Sequence, residues 1–228
     1  MTPVHAGIHV RENFSLLARA ETRVLRWIAE RLPRAINADH LSLLGLAAMA
    51  AAGLSFAAFA FTQWAALGVA LSLFANWFGD SLDGTIARVR QQQRPRYGFY
   101  VDHLIDVAGT AMLVTGIACS GLMSPTIALA LLAAYLLVSA ESYLATHTAG
   151  VFRMSFLGVG PTELRILLAA GALDAAASPS GAATLFRIGG TVATIGLVAA
   201  FVVAGVRNTR ALSADEPRPV APTVARTA

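Results

Sequence analysis

The sequence predicts an all-α integral membrane protein: a bundle of six transmembrane helices with an N-terminal amphipathic helix lying in the membrane interface. Three observations predict it. Of 228 residues, 56% are apolar and 13% are charged, against about 45–50% and about 25% in soluble domains, and mean hydropathy is +0.63. Long uncharged stretches run from His40 to Gly79 and from Val107 to Ala140. The 17 basic residues are all arginines, and they sit at the ends of the apolar runs. An ordinary soluble enzyme is excluded by this composition. So is disorder over most of the length, because disorder requires low hydrophobicity and high charge.

Residues 1–36 read as a cytoplasmic segment containing an amphipathic helix over 12–32. Phe14, Leu17, Val24, Leu25, Ile28 and Leu32 share one face, and Arg19, Arg23, Arg26 and Glu30 share the other. Such a helix lies in the membrane interface; a soluble cap packed on the bundle is the competing reading. No apolar core follows the first arginine, so the segment is not a signal peptide. The 40 residues from His40 to Gly79 are uncharged, twice the roughly 20 that one span needs. Thr62-Gln63-Trp64 is the natural break, giving a first span at 41–61 and a second at 64–90. The uncharged run Val107 to Ala140 breaks at Gly121 to Pro125, giving a third span at 99–121 and a fourth at 126–147. The fifth, Pro161 to Ala177, is weaker, with Glu163 and Arg165 near its start; the sixth covers Ile188 to Val206. The transmembrane domain is expected over 37–210. Residues 211–228, rich in Pro, Ala and Arg, are expected as a disordered cytoplasmic tail.

The arginines set the orientation. With six spans and both termini inside, 15 of the 17 lie on the inner side, Arg165 lies within a span, and Arg187 alone is outside. This satisfies the positive-inside rule and predicts that the inner helix ends face the cytoplasm; the bacterial cytoplasmic membrane is the expected location. The net charge of +4 does not point to nucleic acid, since the arginines form no solvated face with interleaved aromatics. An anionic lipid surface is the better partner. Cys119, the single cysteine, lies in an apolar run; it supports no disulfide framework and is expected as a small buried hydrophobe.

Four acidic residues, Asp80, Asp83, Asp102 and Asp106, lie where a bilayer disfavours them. Each costs about 2.5–3.5 kcal/mol on an insertion scale, and such groups are usually functional. Asn76, Asp80, Asp83, Gly84, Ala87 and Arg88 fall within one arc of about 140° on a helix. Asp102 and Asp106, four apart, share a face. The short loop Val89 to Tyr97 makes antiparallel packing of the two helices the expectation, with Asp80 opposite Asp106 and Asp83 opposite Asp102. No arginine lies within a turn of Asp80 or Asp106. Hard divalent cations, magnesium or manganese, are the natural partners of carboxylate oxygens, and four facing carboxylates describe a two-metal site. Gly84 and Ala87 leave room for a ligand on the acidic face, although Gly84 is equally readable as a helix-packing contact. Arg88 is read as a phosphate ligand ahead of a headgroup anchor.

The run Asp80-x2-Asp83-Gly84-x2-Ala87-Arg88-x9-Gly98-x3-Asp102-x3-Asp106 resembles the signature of the CDP-alcohol phosphatidyltransferases. The resemblance implies transfer of a phosphoryl-linked group from a CDP-linked donor to an alcohol, with release of CMP. It implies that Asp80, Asp83 and Asp102 hold two divalent cations, with Asp106 at the second cation and acting as general base. Gly84, Ala87, Arg88 and Gly98 would line the CDP pocket. Within the family, CDP-diacylglycerol with a small polar alcohol is the first expectation, and CDP-choline or CDP-ethanolamine with diacylglycerol the second. Arg153 and Arg165, near the inner ends of spans four and five, are candidate acceptor-binding residues and equally candidate snorkelling anchors; Glu141, His147 and Glu163 lie nearby. Whether the chain is a homodimer stays open.

Two rivals predict other patterns. An intramembrane prenyltransferase carries its two acidic motifs on distant helices of a longer bundle, whereas here Asp83 and Asp102 belong to adjacent helices. A cation channel or transporter would continue its polar residues to the outer side. There the second span offers only Asn76 and Ser72, and the third only Thr110 and Thr115.

Overall fold

The computed structural model describes residues 18–149 and 161–216. Among these it contains α-helices and no strand: α1 (Ala18–Arg31), α2 (Ala38–Ala58), α3 (Ala65–Val89), α4 (Pro95–Cys119), α5 (Pro125–Ala149), α6 (Pro161–Ala177) and α7 (Pro179–Asp215). Four of them begin on proline, whose fixed φ and missing N–H suit the first helical position. α2 begins on a capping box: the Asn37 side chain accepts from the His40 N–H at 2.9 Å, and His40 Nδ1 accepts from the Asn37 N–H at 3.4 Å.

Five helices, α2, α3, α4, α5 and α7, are long and apolar enough to cross a membrane. α6 has 17 residues, about 25 Å of helix, and is the short member of a six-helix bundle. α7 starts nine residues earlier than its uncharged run and continues to Asp215, inside the segment expected as a tail. Ala211, Leu212 and Ala214 favour helix, and Pro217 stops it.

α2 is the centre of the end that carries the four aspartates. It packs against both α3 and α4, while α3 and α4 are not themselves a closely packed pair. The direct packing of these two helices expected from their short loop therefore gives way to a shared partner. The reason is the small-residue face of α2, where Gly45, Ala48, Ala52 and Gly53 are buried. A Cβ on Gly79 of α3 would lie 2.6 Å from the Leu41 carbonyl oxygen, and one on Gly116 of α4 would lie 2.0 Å from that of Gly53. Backbones this close require glycine.

Apolar packing falls into two clusters. Phe56, Val69, Leu73, Ile117, Met123 and Phe186 anchor the larger one. The smaller one brings Leu25 and Ala29 of α1 against Leu41, Leu82 and Ile86. α1 thus docks on α3 through Leu25, Ile28, Ala29 and, just past its end, Leu32, and leaves Val24 and Trp27 exposed. Phe14 and Leu17 of the expected amphipathic face lie outside the described residues. Glu21 ties this helix down: its Oε1 accepts from Trp77 Nε1 at 2.7 Å, Ser81 Oγ at 3.2 Å and Thr162 Oγ1 at 3.1 Å. Arg90, just past α3, donates to the carbonyls of Leu32, Pro33 and Ile36 and so fixes the α1–α2 connection.

The outer surface is apolar, with Leu54, Leu71, Phe74, Leu129, Val192 and Val203 exposed. Cys119 is exposed as well, against the expectation of burial. In a chain whose lipid face and core are equally apolar, an apolar run does not separate the two.

Candidate active site

α3 and α4 bring three carboxylates together across the space beside α2. Asp80, Asp102 and Asp106 each offer one carboxylate oxygen, and these atoms lie within 4.8 Å of one another. All three residues are half-buried. The expected approach of Asp80 to Asp106 is present, and Asp102, one turn from Asp106, joins the same group. Oxygen atoms from three carboxylates form a donor set that suits a hard divalent cation.

Asp83 is not a member of that group of three. Its Oδ2 accepts from Ser42 Oγ of α2 at 2.5 Å, and its Oδ1 accepts from the Gly84 N–H at 2.5 Å. Three residues on from Asp80, it is turned about 60° around the helix, which aims it at α2. The expected square of four facing carboxylates is therefore a triad with a fourth carboxylate beside it, within electrostatic reach of Asp80 and Asp102. Ser42 carried no signal in the sequence, because one serine in an apolar helix resembles any other.

The counter-charge sought near Asp80 comes from the other end of the chain. Arg165 of α6 donates through Nη2 to Asp80 Oδ2 at 2.5 Å and through Nε to Asn76 Oδ1 at 2.7 Å. Asn76 is buried, and its Nδ2 donates to the Gly45 carbonyl at 2.9 Å. The Arg165 and Asp80 side chains are only 15% and 27% exposed, so the pair is shielded from much of the solvent screening that weakens surface ion pairs. A search confined to one helical turn misses this partner. The usable signal was Arg165 itself, a cation inside an apolar span, where charged residues pair with one another. Arg153 lies outside the described residues. Glu141, near the same end, accepts from Asn208 Nδ2 of α7 at 2.6 Å.

The remaining motif residues line the adjacent helix ends. A Cβ on Gly84 would meet no other helix; only the Arg88 guanidinium lies within 4 Å, at 3.4 Å. A Cβ on Gly98 would meet nothing within 4 Å. Neither glycine serves close helix packing, in contrast to Gly79 and Gly116. Arg88 is exposed and donates to Thr85 Oγ1 at 3.1 Å. Ala87 lines a cavity of about 230 Å³ together with Asn37, Asp39, Arg90, Gln92 and Arg94. An Arg94–Asp39 ion pair bridges two of its walls.

The family model described as CDP-alcohol phosphatidyltransferase matches residues 36–208, about three quarters of the chain, from the start of α2 into the last turns of α7. No curated protein matches the chain. The match extends well beyond the acidic signature and takes in every helix that carries a residue of the site. The chain belongs to the CDP-alcohol phosphatidyltransferase family, enzymes that transfer a phosphatidyl-type group from a CDP-linked alcohol.

Proposed function

We propose that the protein transfers the phosphatidyl group of CDP-diacylglycerol to a small polar alcohol and releases CMP, at the cytoplasmic face of the membrane. The observation that carries this reading is the Asp80, Asp102 and Asp106 oxygen cluster, within 4.8 Å, in a chain of this family. Its place among helices long enough to span a bilayer supports a lipid substrate.

Asp80, Asp102 and Asp106 would hold two divalent cations, magnesium or manganese, with Asp83 contributing through lone pairs left free by its two hydrogen bonds, since each carboxylate oxygen has more than one acceptor site. Bound there, the cations would neutralise the pyrophosphate and favour departure of CMP. The open positions of Gly84 and Gly98 leave room for the donor, and Ala87 and Arg88 would line its pocket. In the reaction, the acceptor hydroxyl oxygen forms a bond to the phosphatidyl phosphorus as the bond from that phosphorus to the CMP oxygen breaks. The hydroxyl proton passes to Asp106, the general base. Arg153 and Arg165 are the candidate ligands of an anionic acceptor, and Arg165 has a second reading, argued below.

The test is incubation of the purified chain in lipid with labelled CDP-diacylglycerol, manganese and a panel of polar alcohols. Mass spectrometry then identifies the product. CMP and a new phospholipid are expected, and EDTA should abolish both. Product formed only from CDP-choline or CDP-ethanolamine with diacylglycerol would reverse the donor assignment, and undiminished turnover in EDTA would remove the metals from it.

A further inference from the structure

We propose that Arg165 is a positioning residue for the cation-binding carboxylates and not a ligand of the acceptor: it occupies Asp80 Oδ2, leaves the other oxygen of Asp80 for a cation, and lowers the net negative charge of the cluster. The inference rests on the reading of Asp80, Asp102 and Asp106 as a cation site.

The geometry is over-determined. Asn76 is buried and its Nδ2 is committed to the Gly45 carbonyl, so its amide must present Oδ1 on the other side. Only a hydrogen-bond donor can meet that oxygen, and Arg165 Nε does so at 2.7 Å. With Nε fixed, the planar guanidinium can aim Nη2 in few directions, and it aims at Asp80 Oδ2, 2.5 Å away. The helix that carries Arg165 is itself fixed one turn earlier, where Thr162 donates to Glu21 beside Trp77 and Ser81 of α3. A chain of contacts thus runs from α2 through Asn76 and Arg165 to one oxygen of one carboxylate. A lysine has a single ammonium, so it preserves the charge without reproducing the two-point fork.

A structural prop and an acceptor ligand predict different results from a charge held against the cluster. Removing a unit positive charge a few ångströms from a bound divalent cation strengthens cation binding. Damage to the fold weakens it, and loss of an acceptor contact raises the acceptor KM.

The full chain in lipid nanodiscs is titrated with Mn2+ alone, and free Mn2+ is followed by electron paramagnetic resonance for wild type, Arg165→Gln and Arg165→Lys. Turnover is followed in parallel with whichever of glycerol 3-phosphate, inositol or serine the wild type uses. Arg165→Gln should bind Mn2+ about tenfold more tightly while turning over more slowly, with acceptor KM unchanged. Arg165→Lys should keep Mn2+ affinity within about threefold of wild type and still lose kcat, because Asn76 and Asp80 are no longer held by one planar group. Unchanged or weakened Mn2+ binding in Arg165→Gln overturns the proposal. If that variant aggregates, Arg165→Lys decides the matter: a raised acceptor KM at normal kcat makes Arg165 an acceptor ligand. A wild-type chain that binds no Mn2+ overturns the cation site and this inference together. Wild-type binding and CMP release with only acceptor KM altered in the variants overturns this inference alone.

Discussion

Ser42 on α2 and Asp83 on α3 share a hydrogen bond of 2.5 Å, and the other oxygen of Asp83 accepts from the Gly84 N–H. The two contacts hold this carboxylate toward α2 and beside the triad of Asp80, Asp102 and Asp106. Hydrogen bonds to a charged group contribute about 1.5–3 kcal/mol. Ser42→Ala should therefore release one oxygen of Asp83, lower the thermal unfolding midpoint, and raise the manganese concentration needed for half-maximal CMP release by about tenfold or more. Unaltered metal dependence in Ser42→Ala would mean that the Gly84 N–H alone orients Asp83.

Glu21 makes a second set of interhelical ties. Its Oε1 accepts from Trp77, Ser81 and Thr162, joining α1, α3 and α6. Glu21→Ala leaves those half-buried donors without their shared acceptor, and a hydrogen bond lost there costs about 0.5–1.5 kcal/mol. The variant should inactivate at lower temperature than wild type. Glu21→Gln, which keeps an acceptor oxygen, should recover most of the difference. Equal thermal inactivation of all three proteins would show that apolar packing and the Arg90 contacts hold α1 without Glu21.

These contacts mark how far the sequence could be read. Helix identity was legible because long uncharged runs and terminal arginines are properties of local sequence; spans expected at 41–61 and 64–90 appear as α2 and α3 at 38–58 and 65–89. The approach of Asp80 to Asp106 was legible too, since helical rise fixes depth. What depended on a third helix was not. Asp83 turns to Ser42, and Asp80 is met by Arg165 from 85 residues away. α3 and α4 diverge because glycines on α2 and its neighbours let both close on it. Cys119 and Gly84 show the same limit from opposite sides. Apolar neighbours pointed to burial for a cysteine that is exposed, and the helical arc left open whether the glycine packs against a helix or opens a pocket.

Orientation is testable through two exposed loops. Gln63 lies between α2 and α3, and Gln92 between α3 and α4; both are exposed. After Cys119→Ser, because Cys119 is exposed as well, Gln92→Cys should react with a membrane-impermeant thiol reagent only from the cytoplasmic side. Gln63→Cys should react only from the outside. The arginine asymmetry predicts this result. Reversed labelling would put the carboxylate triad at the face away from cytosolic CDP-linked substrates.

The roles of Asp106 and Asp102 are separable although both belong to one oxygen cluster. In either Asp→Asn variant the amide carbonyl remains as a weaker ligand, so cation affinity falls in both. The variants differ in the proton. Asp106→Asn removes the group assigned as general base, a loss typically of about 10²–10⁴-fold, and no added metal restores it. Asp102→Asn removes ligand charge only, so raising manganese should recover much of its turnover. The measurement is CMP release across a manganese titration, beside donor affinity by calorimetry with CDP-diacylglycerol. Recovery of Asp102→Asn but not Asp106→Asn at saturating manganese is the expected result. If both recover, Asp106 is a ligand and the base lies elsewhere. If neither recovers while both still bind donor, the proton is shared across the α4 pair and cannot be assigned to Asp106 alone.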